Sequence, residues 1–223
     1  MSRLVLHHCH EARSMRTLWL LEELGLDCQL VIHDFGPALR SPEYLAISPL
    51  GRVPALQDGG DTLIESGAIC EWLCERHSQA GLGRAPGHPE RAEWLQWLHF
   101  AETVGQHLAA LTQQHIVIRD DHDRSPLIMK LELRRLEKAL GVLEAVLEGR
   151  DWMLASGFSG IDTGIGYSVY VAEKFADLER FPNVAGYLDR IRARLAFQAA
   201  LPPPGSARIY TRPFYAAWPA DRG

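Results

Sequence analysis

Features that would assign a protein class at once are scarce in this sequence. Its 223 residues include only four cysteines, too few for the disulfide framework of a small secreted domain. No run of about 18 apolar residues occurs, so no membrane-spanning segment is expected. The first residues lack the apolar core and the small-residue cleavage site of a secretory signal peptide. The sequence therefore predicts a cytoplasmic protein with free thiols and no membrane contact.

The sequence also has fewer basic than acidic residues. The chain has 23 Lys and Arg against 28 Asp and Glu, which gives a formal net charge of −5. Proteins that bind the phosphate backbone draw their affinity from clustered cations, so we expect no nucleic-acid partner. With 47% hydrophobic and 23% charged residues the composition is that of a globular protein. The length allows one or two domains.

The cysteines leave one metal site to consider. Cys70 and Cys74 are four residues apart in a predicted helix, and Cys9 with His10 could complete a set of four zinc ligands. Cysteine pairs that bind zinc usually have the spacing C-x2-C on a turn, whereas this spacing on an apolar helix face is typical of core packing. We therefore expect no metal.

The first third of the chain alternates strands and helices. The β-branched, apolar runs predict strands over 3–8, 28–33, 53–58 and 62–65, and helical patterns predict helices over 14–24, 41–46 and 66–77. A β-α-β order favours a parallel crossover, and two strands joined by a Gly-Gly turn favour an antiparallel hairpin. These elements predict a small mixed sheet with helices packed on it.

The composition changes after a Gly/Pro-rich linker at 79–89. We place the domain boundary there, between an N-terminal domain over 1–78 and a C-terminal domain over 90–223. Only helices are predicted after the linker, among them a leucine-striped one over 126–148 and another over 182–196.

Two further features stand in the second half. Ser159 and Asp162 have the spacing of a capping box at the start of a helix. The tail 201–223 is rich in aromatic residues, and it could fold over a pocket or dock at a subunit interface. Its aromatic residues are Tyr210, Phe214, Tyr215 and Trp218.

Four passages of this sequence resemble the cytosolic glutathione S-transferase family, and its bacterial members most of all. They are LHH with RSMRTLWLLEELGL (6–8 and 13–26), SPEYLAISPLGRVPAL (41–56), ESGAICEWL (65–73) and FSGIDTGIG (158–166). Together the passages span about residues 4–200. The resemblance implies the fold class α/β plus all-α: an N-terminal thioredoxin-like domain followed by an all-helical bundle domain. It also implies a homodimer with glutathione as co-substrate.

The resemblance further implies how glutathione would be bound. A cis peptide at Val53-Pro54 would let the Val53 backbone pair with the cysteinyl part of glutathione, as an exposed strand edge pairs with a peptide. Glu65 and Ser66 would hold the γ-glutamyl end. Arg52 matches a polar position that reaches the glycyl carboxylate, a task suited to the forked donors of arginine.

The sequence lacks the usual group that stabilises the glutathione thiolate. A free thiol has a pKa of about 8.5 and needs such a group to ionise at neutral pH. Serine-using relatives keep a serine where this sequence has Glu11 or Ala12. Three alternatives remain: Ser14 with the helix N-terminus, Cys9 through a mixed disulfide with glutathione, and Arg13 or a backbone amide. We favour Ser14 as the catalytic residue and include Arg13 among the glutathione-binding residues. We expect His7, His8 and His10 to be strand-end and surface residues.

The electrophile is expected to bind against the second domain. Residues on one face of the helix after the linker are the candidates for this pocket: Trp97, Phe100, Val104 and His107. The sequence thus predicts a glutathione transferase that conjugates the thiolate to small hydrophobic electrophiles. Two alternatives stay open: a non-catalytic glutathione-binding module, and a glutathione-dependent thiol-disulfide reductase acting through Cys9.

Overall fold

A four-stranded mixed sheet forms the centre of the N-terminal part. The computed structural model describes residues 4–217. The strands are β1 (Leu4–His8), β2 (Cys28–Ile32), β3 (Ala55–Asp58) and β4 (Asp61–Ile64). Their order across the sheet is β2-β1-β3-β4; β1 pairs with β2 in parallel, and β1–β3 and β3–β4 are antiparallel. This is the predicted mixed sheet.

Eight α-helices accompany the sheet in the described part of the chain. They are α1 (Ser14–Glu23), α2 (Pro42–Leu45), α3 (Ser66–Arg76), α4 (Arg91–Thr112), α5 (Pro126–Val146), α6 (Gly160–Ala172), α7 (Pro182–Arg192) and α8 (Leu195–Ala200). Short 3-10 turns lie at Pro37–Arg40, Ser78–Ala80, Asp121–Asp123 and Leu178–Arg180. The first three helices pack against the sheet or its connections, and the other five follow the segment that contains the predicted linker. The fold is thus a thioredoxin-like domain followed by a helical one.

The structure changes two helix predictions. The helix predicted over 182–196 is two helices, α7 and α8, which are separated at Ala193 and Arg194. The end of α4 continues into a π-helical turn at Gln113–Val117, which was not predicted. The heptad-like stripe of α5 is buried as predicted, with Leu136, Leu140 and Leu143 fully covered.

The capping box at the start of α6 is confirmed. The Ser159 backbone N–H donates to the Asp162 carboxylate at 2.8 Å, and the Tyr187 hydroxyl donates to the same carboxylate at 2.9 Å. Asp162 is fully buried. The cap therefore fixes the start of α6 against α7 as well as against its own loop.

The C-terminal tail folds back over the molecule. The Tyr210 backbone N–H donates to the Glu11 carboxylate at 2.8 Å, and the Tyr215 backbone N–H donates to the Lys174 carbonyl at 2.7 Å. Tyr210 and Tyr215 are buried beside Phe175. Trp218 lies outside the described residues. No helix within residues 4–217 is long and apolar enough to cross a membrane.

Candidate functional site

One small cleft contains all six residues expected to bind glutathione. Its lining joins the segment before β3, the start of α1 and the start of α3. The lining residues are Arg13, Ser48, Leu50, Arg52, Val53, Pro54, Ile64, Glu65 and Ser66. Sequence positions as far apart as 13 and 66 are therefore brought together, although glutathione contact itself stays a prediction for each of them.

The backbone before β3 is held in an unusual shape. The Val53-Pro54 peptide is cis, as expected from the resemblance. The hydroxyls of Tyr44 and Ser48 both donate to the Arg52 carbonyl at 2.8 Å, which fixes the chain immediately before this bond. Gly51 has φ +59°, and a Cβ there would come within 2.5 Å of the Leu39 carbonyl oxygen. Only glycine fits this approach.

Glu65 and Ser66 occupy the junction between β4 and α3. Glu65 has φ +72°, outside the conformations that most residues adopt, and its side chain is exposed beside the cleft. Ser66 opens α3, and its hydroxyl accepts a hydrogen bond from the Arg16 guanidinium at 3.1 Å. A helix N-terminus with an oriented hydroxyl suits a carboxylate ligand.

Arg16 is a structural centre that sequence reasoning missed. It is 4% exposed, and its guanidinium forms an ion pair with Glu102 and donates to the Ala101 carbonyl at 3.1 Å. It also donates to the Ser168 hydroxyl at 3.0 Å. Through these bonds and the one to Ser66, one side chain connects α1 with α3, α4 and α6. Its position within an amphipathic helix gave no signal of this role.

Arg13 shares the same acidic partner. Its guanidinium lies 3.1 Å from the Glu102 carboxylate and donates to the Gly105 carbonyl at 3.0 Å. Although burial acts to raise the pKa of Glu102, Arg16 and then Arg13 outweigh it, so the pKa stays below its usual value. Arg13 thus lines the cleft as part of a paired network.

Ser14 is not among the residues that line the cleft, and its expected catalytic role stays a prediction. The side chain is fully buried, and its hydroxyl lies 2.9 Å from Nδ1 of His8. It also accepts from the Cys9 backbone N–H at 3.1 Å and lies 3.2 Å from the Cys9 carbonyl. The hydroxyl therefore faces the end of β1 and has its partners there, away from the cleft. His7 and His8 lie at the end of β1 as expected, but both are buried rather than at the surface.

Cys9 is a protected thiol. It is 3% exposed, and burial, with smaller contributions from Asp34 and Glu11, raises its pKa to about 11. Little of such a thiol is ionised at neutral pH. The neighbouring Glu11 has φ +60° and is itself buried; its carboxylate accepts from the tail, and its carbonyl accepts from the Tyr167 hydroxyl at 2.9 Å. The turn after β1 is therefore fixed by the second domain.

A much larger cavity, of about 1010 Å³, adjoins the cleft near Gly51. It lies between the turn after β1, the loop after β2, the π-helical turn and the tail. Its lining includes Cys9 and His10 from the turn, residues 32–36 with Leu39 and Arg40 from the end of β2 and the loop after it, residues 115–117 with Arg119 from the π-turn, and residues 206–209 with Thr211, Arg212 and Tyr215 from the tail. Of the two positions considered for the tail, the structure supports the one over a pocket.

The four residues expected to line the electrophile pocket all lie on α4. Val104 is fully buried, Trp97 is 4% exposed and packs edge-to-face on Phe100, and Nδ1 of His107 lies 2.7 Å from the Glu132 carboxylate. None of the four lines the large cavity. Their contacts are made within the helical domain, and their role in an electrophile pocket stays a prediction.

The residues considered for zinc are not gathered in one site. Cys70 and Cys74 are buried next to Gly160, whose carbonyl accepts from the Cys70 thiol at 3.4 Å. Within the described ranges, no group of three or more His, Cys, Asp and Glu side chains is placed to hold a metal ion.

A thioredoxin-like domain with a cis-proline cleft, joined to a helical domain, defines a class of glutathione-using proteins, and comparison with known proteins agrees. A family model described as glutathione S-transferase, N-terminal domain, matches residues 6–81. The disulfide-bond oxidoreductase YfcG of Escherichia coli is 32% identical over 190 residues, covering 81% of this chain and 86% of that protein. A maleylacetoacetate isomerase of Pseudomonas aeruginosa is 31% identical, covering 80% and 85%. This chain belongs to the cytosolic glutathione S-transferase family.

A solved structure of a glutathione transferase has a similar fold. The glutathione transferase URE2P6 of Phanerochaete chrysosporium, solved with oxidised glutathione, has a TM-score of 0.80 and 26% identity. The alignment covers 89% of this chain and 94% of that one. The family accounts for a general glutathione-dependent function, while its named members include a transferase, an isomerase and a disulfide oxidoreductase.

Proposed function

We propose that this chain binds glutathione in the small cleft and conjugates its thiolate to an electrophile in the adjoining cavity. The observation that carries the proposal is the convergence of six expected ligands on one cleft that opens beside a cavity of about 1010 Å³. In the reaction the thiolate attacks the electrophilic carbon. A C–S bond forms, and either a leaving group departs with its electron pair or an enone takes up a proton.

Each end of glutathione has a partner of suitable chemistry in this cleft. The Val53 backbone, which lines the cleft beside the cis peptide, would pair with the cysteinyl amide groups, while Arg52 would hold the glycyl carboxylate. The γ-glutamyl end would lie at the start of α3, with Glu65 for its ammonium and Ser66 for its carboxylate. Catalysis would then come from proximity of the two substrates and stabilisation of the thiolate.

For the thiolate we assign the N-terminus of α1 as the stabilising group, with Arg13 beside it. The described contacts of Ser14 support a positioning role, since its hydroxyl holds the turn after β1. A Ser14→Ala variant separates the two roles. Loss of a direct donor would lower kcat by about 100-fold at unchanged stability. A positioning role would instead lower the stability and change kcat less.

The proposal is tested by glutathione titration followed by conjugation assays with aryl halides, epoxides and enones. Glu65→Gln should weaken glutathione binding about tenfold, because it removes the charge opposite the γ-glutamyl ammonium. Glu148→Gln, an exposed acid away from the cleft, is the matched control. Tight glutathione binding with no turnover of any electrophile would refute conjugation and favour a non-catalytic module. The expected homodimer and cytoplasmic location stay predictions.

A second candidate function is reduction of glutathione-containing disulfides, favoured by the similarity to YfcG. A glutathione thiolate would attack the mixed disulfide, form glutathione disulfide and release the other sulfur as a thiolate that takes up a proton. Cys9 is a poor nucleophile for this step because its thiol is buried and its pKa is raised to about 11. Mass spectrometry after treatment with oxidised glutathione should therefore find no adduct on Cys9. An adduct would restore the route through this residue.

A further inference from the structure

The large cavity is surrounded by arginines that lack a counter-charge. Most arginines in residues 4–217 form an ion pair with a carboxylate. Those in this range with no ion pair are Arg40, Arg52, Arg119, Arg134, Arg208 and Arg212. All of them except Arg52 and Arg134 line the cavity. Uncompensated positive charge is thus concentrated at one place on an acidic chain.

Few opposite charges offset these arginines. Asp34 is the single acidic residue among the described residues that line the cavity. The lining histidines add little charge, because burial lowers the pKa of His10, His33 and His115 below the usual value. At neutral pH the wall therefore carries four cations against one carboxylate, and a water-filled concavity of this kind concentrates anions.

The arginines come from three separate segments. Arg40 ends the 3-10 turn after β2, Arg119 follows the π-helical turn after α4, and Arg208 and Arg212 belong to the tail. The tail is held in place near its arginines, because the backbone N–H groups of residues 211 and 212 donate to the Tyr215 hydroxyl at 2.9 and 3.2 Å. Like charges from three segments thus raise the positive potential at one place on the surface.

Apolar side chains also line the cavity. Six of them are Ile32, Phe35, Leu39, Ile116, Val117 and Ile209. We propose that the second substrate is an organic anion, with an apolar body against these side chains and a carboxylate held by Arg208 and Arg212, with Arg40 and Arg119 nearby. This inference rests on the proposed function and adds a carboxylate to the small hydrophobic electrophile expected from the family resemblance.

A carboxylate at this position can have two sources. It can belong to the electrophile, or to the second half of glutathione disulfide. Three ligands that need no turnover distinguish them: S-benzylglutathione, S-(4-carboxybenzyl)glutathione and glutathione disulfide, each titrated calorimetrically. Because exposed ion pairs are individually weak, we expect the carboxybenzyl ligand to bind about fivefold more tightly than the benzyl ligand. In Arg208→Gln/Arg212→Gln this preference should fall to about one, while binding of the benzyl ligand stays unchanged.

Arg134→Gln is the matched control, since Arg134 is also exposed and without an ion pair but lies on α5 away from the cavity. If the double variant loses affinity for glutathione disulfide alone, anion recognition holds and the source is glutathione. Two results would overturn the proposal. The first is that the wild type binds S-benzylglutathione, S-(4-carboxybenzyl)glutathione and glutathione disulfide with equal affinity. The second is that the double variant has the same three affinities as Arg134→Gln. Added salt supplies a check on the wild type alone, because it should weaken the carboxybenzyl ligand and glutathione disulfide more than the benzyl ligand, which carries only the two carboxylates of its glutathione part.

These outcomes separate the inference from the function on which it rests. An anion preference without turnover of any electrophile would remove conjugation and keep the anion site. Turnover of uncharged electrophiles without an anion preference would remove the anion site and keep conjugation.

Discussion

Replacement of Arg16 by methionine should be the most damaging single change beside the proposed glutathione cleft. Methionine keeps much of the volume of the side chain and removes its charge and all its donors. It would leave the Ala101 carbonyl without its guanidinium donor and deprive the hydroxyls of Ser66 and Ser168 of theirs. The Glu102 carboxylate would lose one of its two arginines.

The size of the effect follows from burial. Breaking a fully buried ion pair costs about 3–5 kcal/mol, and each buried group left unpaired costs about 1–3 kcal/mol. The Glu102 side chain is 41% exposed, so water can partly replace its lost partner. We therefore expect Arg16→Met to lower the free energy of unfolding by about 3 kcal/mol, near the lower end of that range.

Urea unfolding measures this directly through the transition midpoint at a constant m-value. Arg13→Met is the matched control, because Arg13 pairs with the same carboxylate but is 32% exposed and should cost at most about 1 kcal/mol. A loss below about 1 kcal/mol in Arg16→Met, or equal losses in the two variants, would refute the view that the buried network joins the four helices. Glutathione affinity should also fall in Arg16→Met, since the Ser66 hydroxyl loses the group that orients it.

Three further outcomes are expected. Gly166→Ala should destabilise the protein by about 1–3 kcal/mol, because its Cβ would lie within 2.9 Å of neighbouring side chains; Gly141→Ala, with open space around it on α5, should be neutral or stabilising in the same unfolding assay. Burial lowers the pKa of His8 to about 4 from 6.5, so the stability that depends on its neutral form is present above pH 6.5 and lost as the pH falls through 4, about 3 kcal/mol in all. NMR titration of the imidazole would contradict this if His8 gained its proton near pH 6.5. Glu11→Ala should release the tail, seen as faster hydrogen exchange at the Tyr210 amide, whose acceptor is removed; unchanged exchange there would show that the aromatic packing alone holds the tail.

Local patterns predicted most of the fold. Alternation of strands and helices indicated the sheet, and the leucine stripe indicated the buried face of α5, because both signals depend on neighbours in sequence. The spacing of Ser159 and Asp162 was enough to indicate a cap. The break between α7 and α8 was missed, since the residues there, Ala193 and Arg194, are neither glycine nor proline.

The glutathione cleft was predicted by resemblance rather than by pattern. Its residues come from three loops, and no periodicity connects Arg13 with Val53 or Ser66. The residues expected in the electrophile pocket were predicted from a pattern instead, and none of them lines the large cavity. Trp97, Phe100 and Val104 do share a helical face, but periodicity cannot distinguish a face that packs in the core from one that lines a cavity.

The direction of the Ser14 side chain could not be predicted from the sequence. Its place at the start of α1 suggested a hydroxyl near the glutathione sulfur, and the side chain does lie at that helix start. Its direction, however, depends on the turn before it, where Glu11 adopts φ +60° and its carboxylate accepts from Tyr210, 199 residues later in the chain. The same long-range contact is one of those that hold the tail, which supplies Arg208 and Arg212 to the large cavity. The buried Glu11 carboxylate therefore connects the turn beside the proposed thiolate site with the wall that would select the second substrate. A change at Glu11 should consequently alter both thiolate stabilisation and anion preference, although Glu11 lines neither cavity.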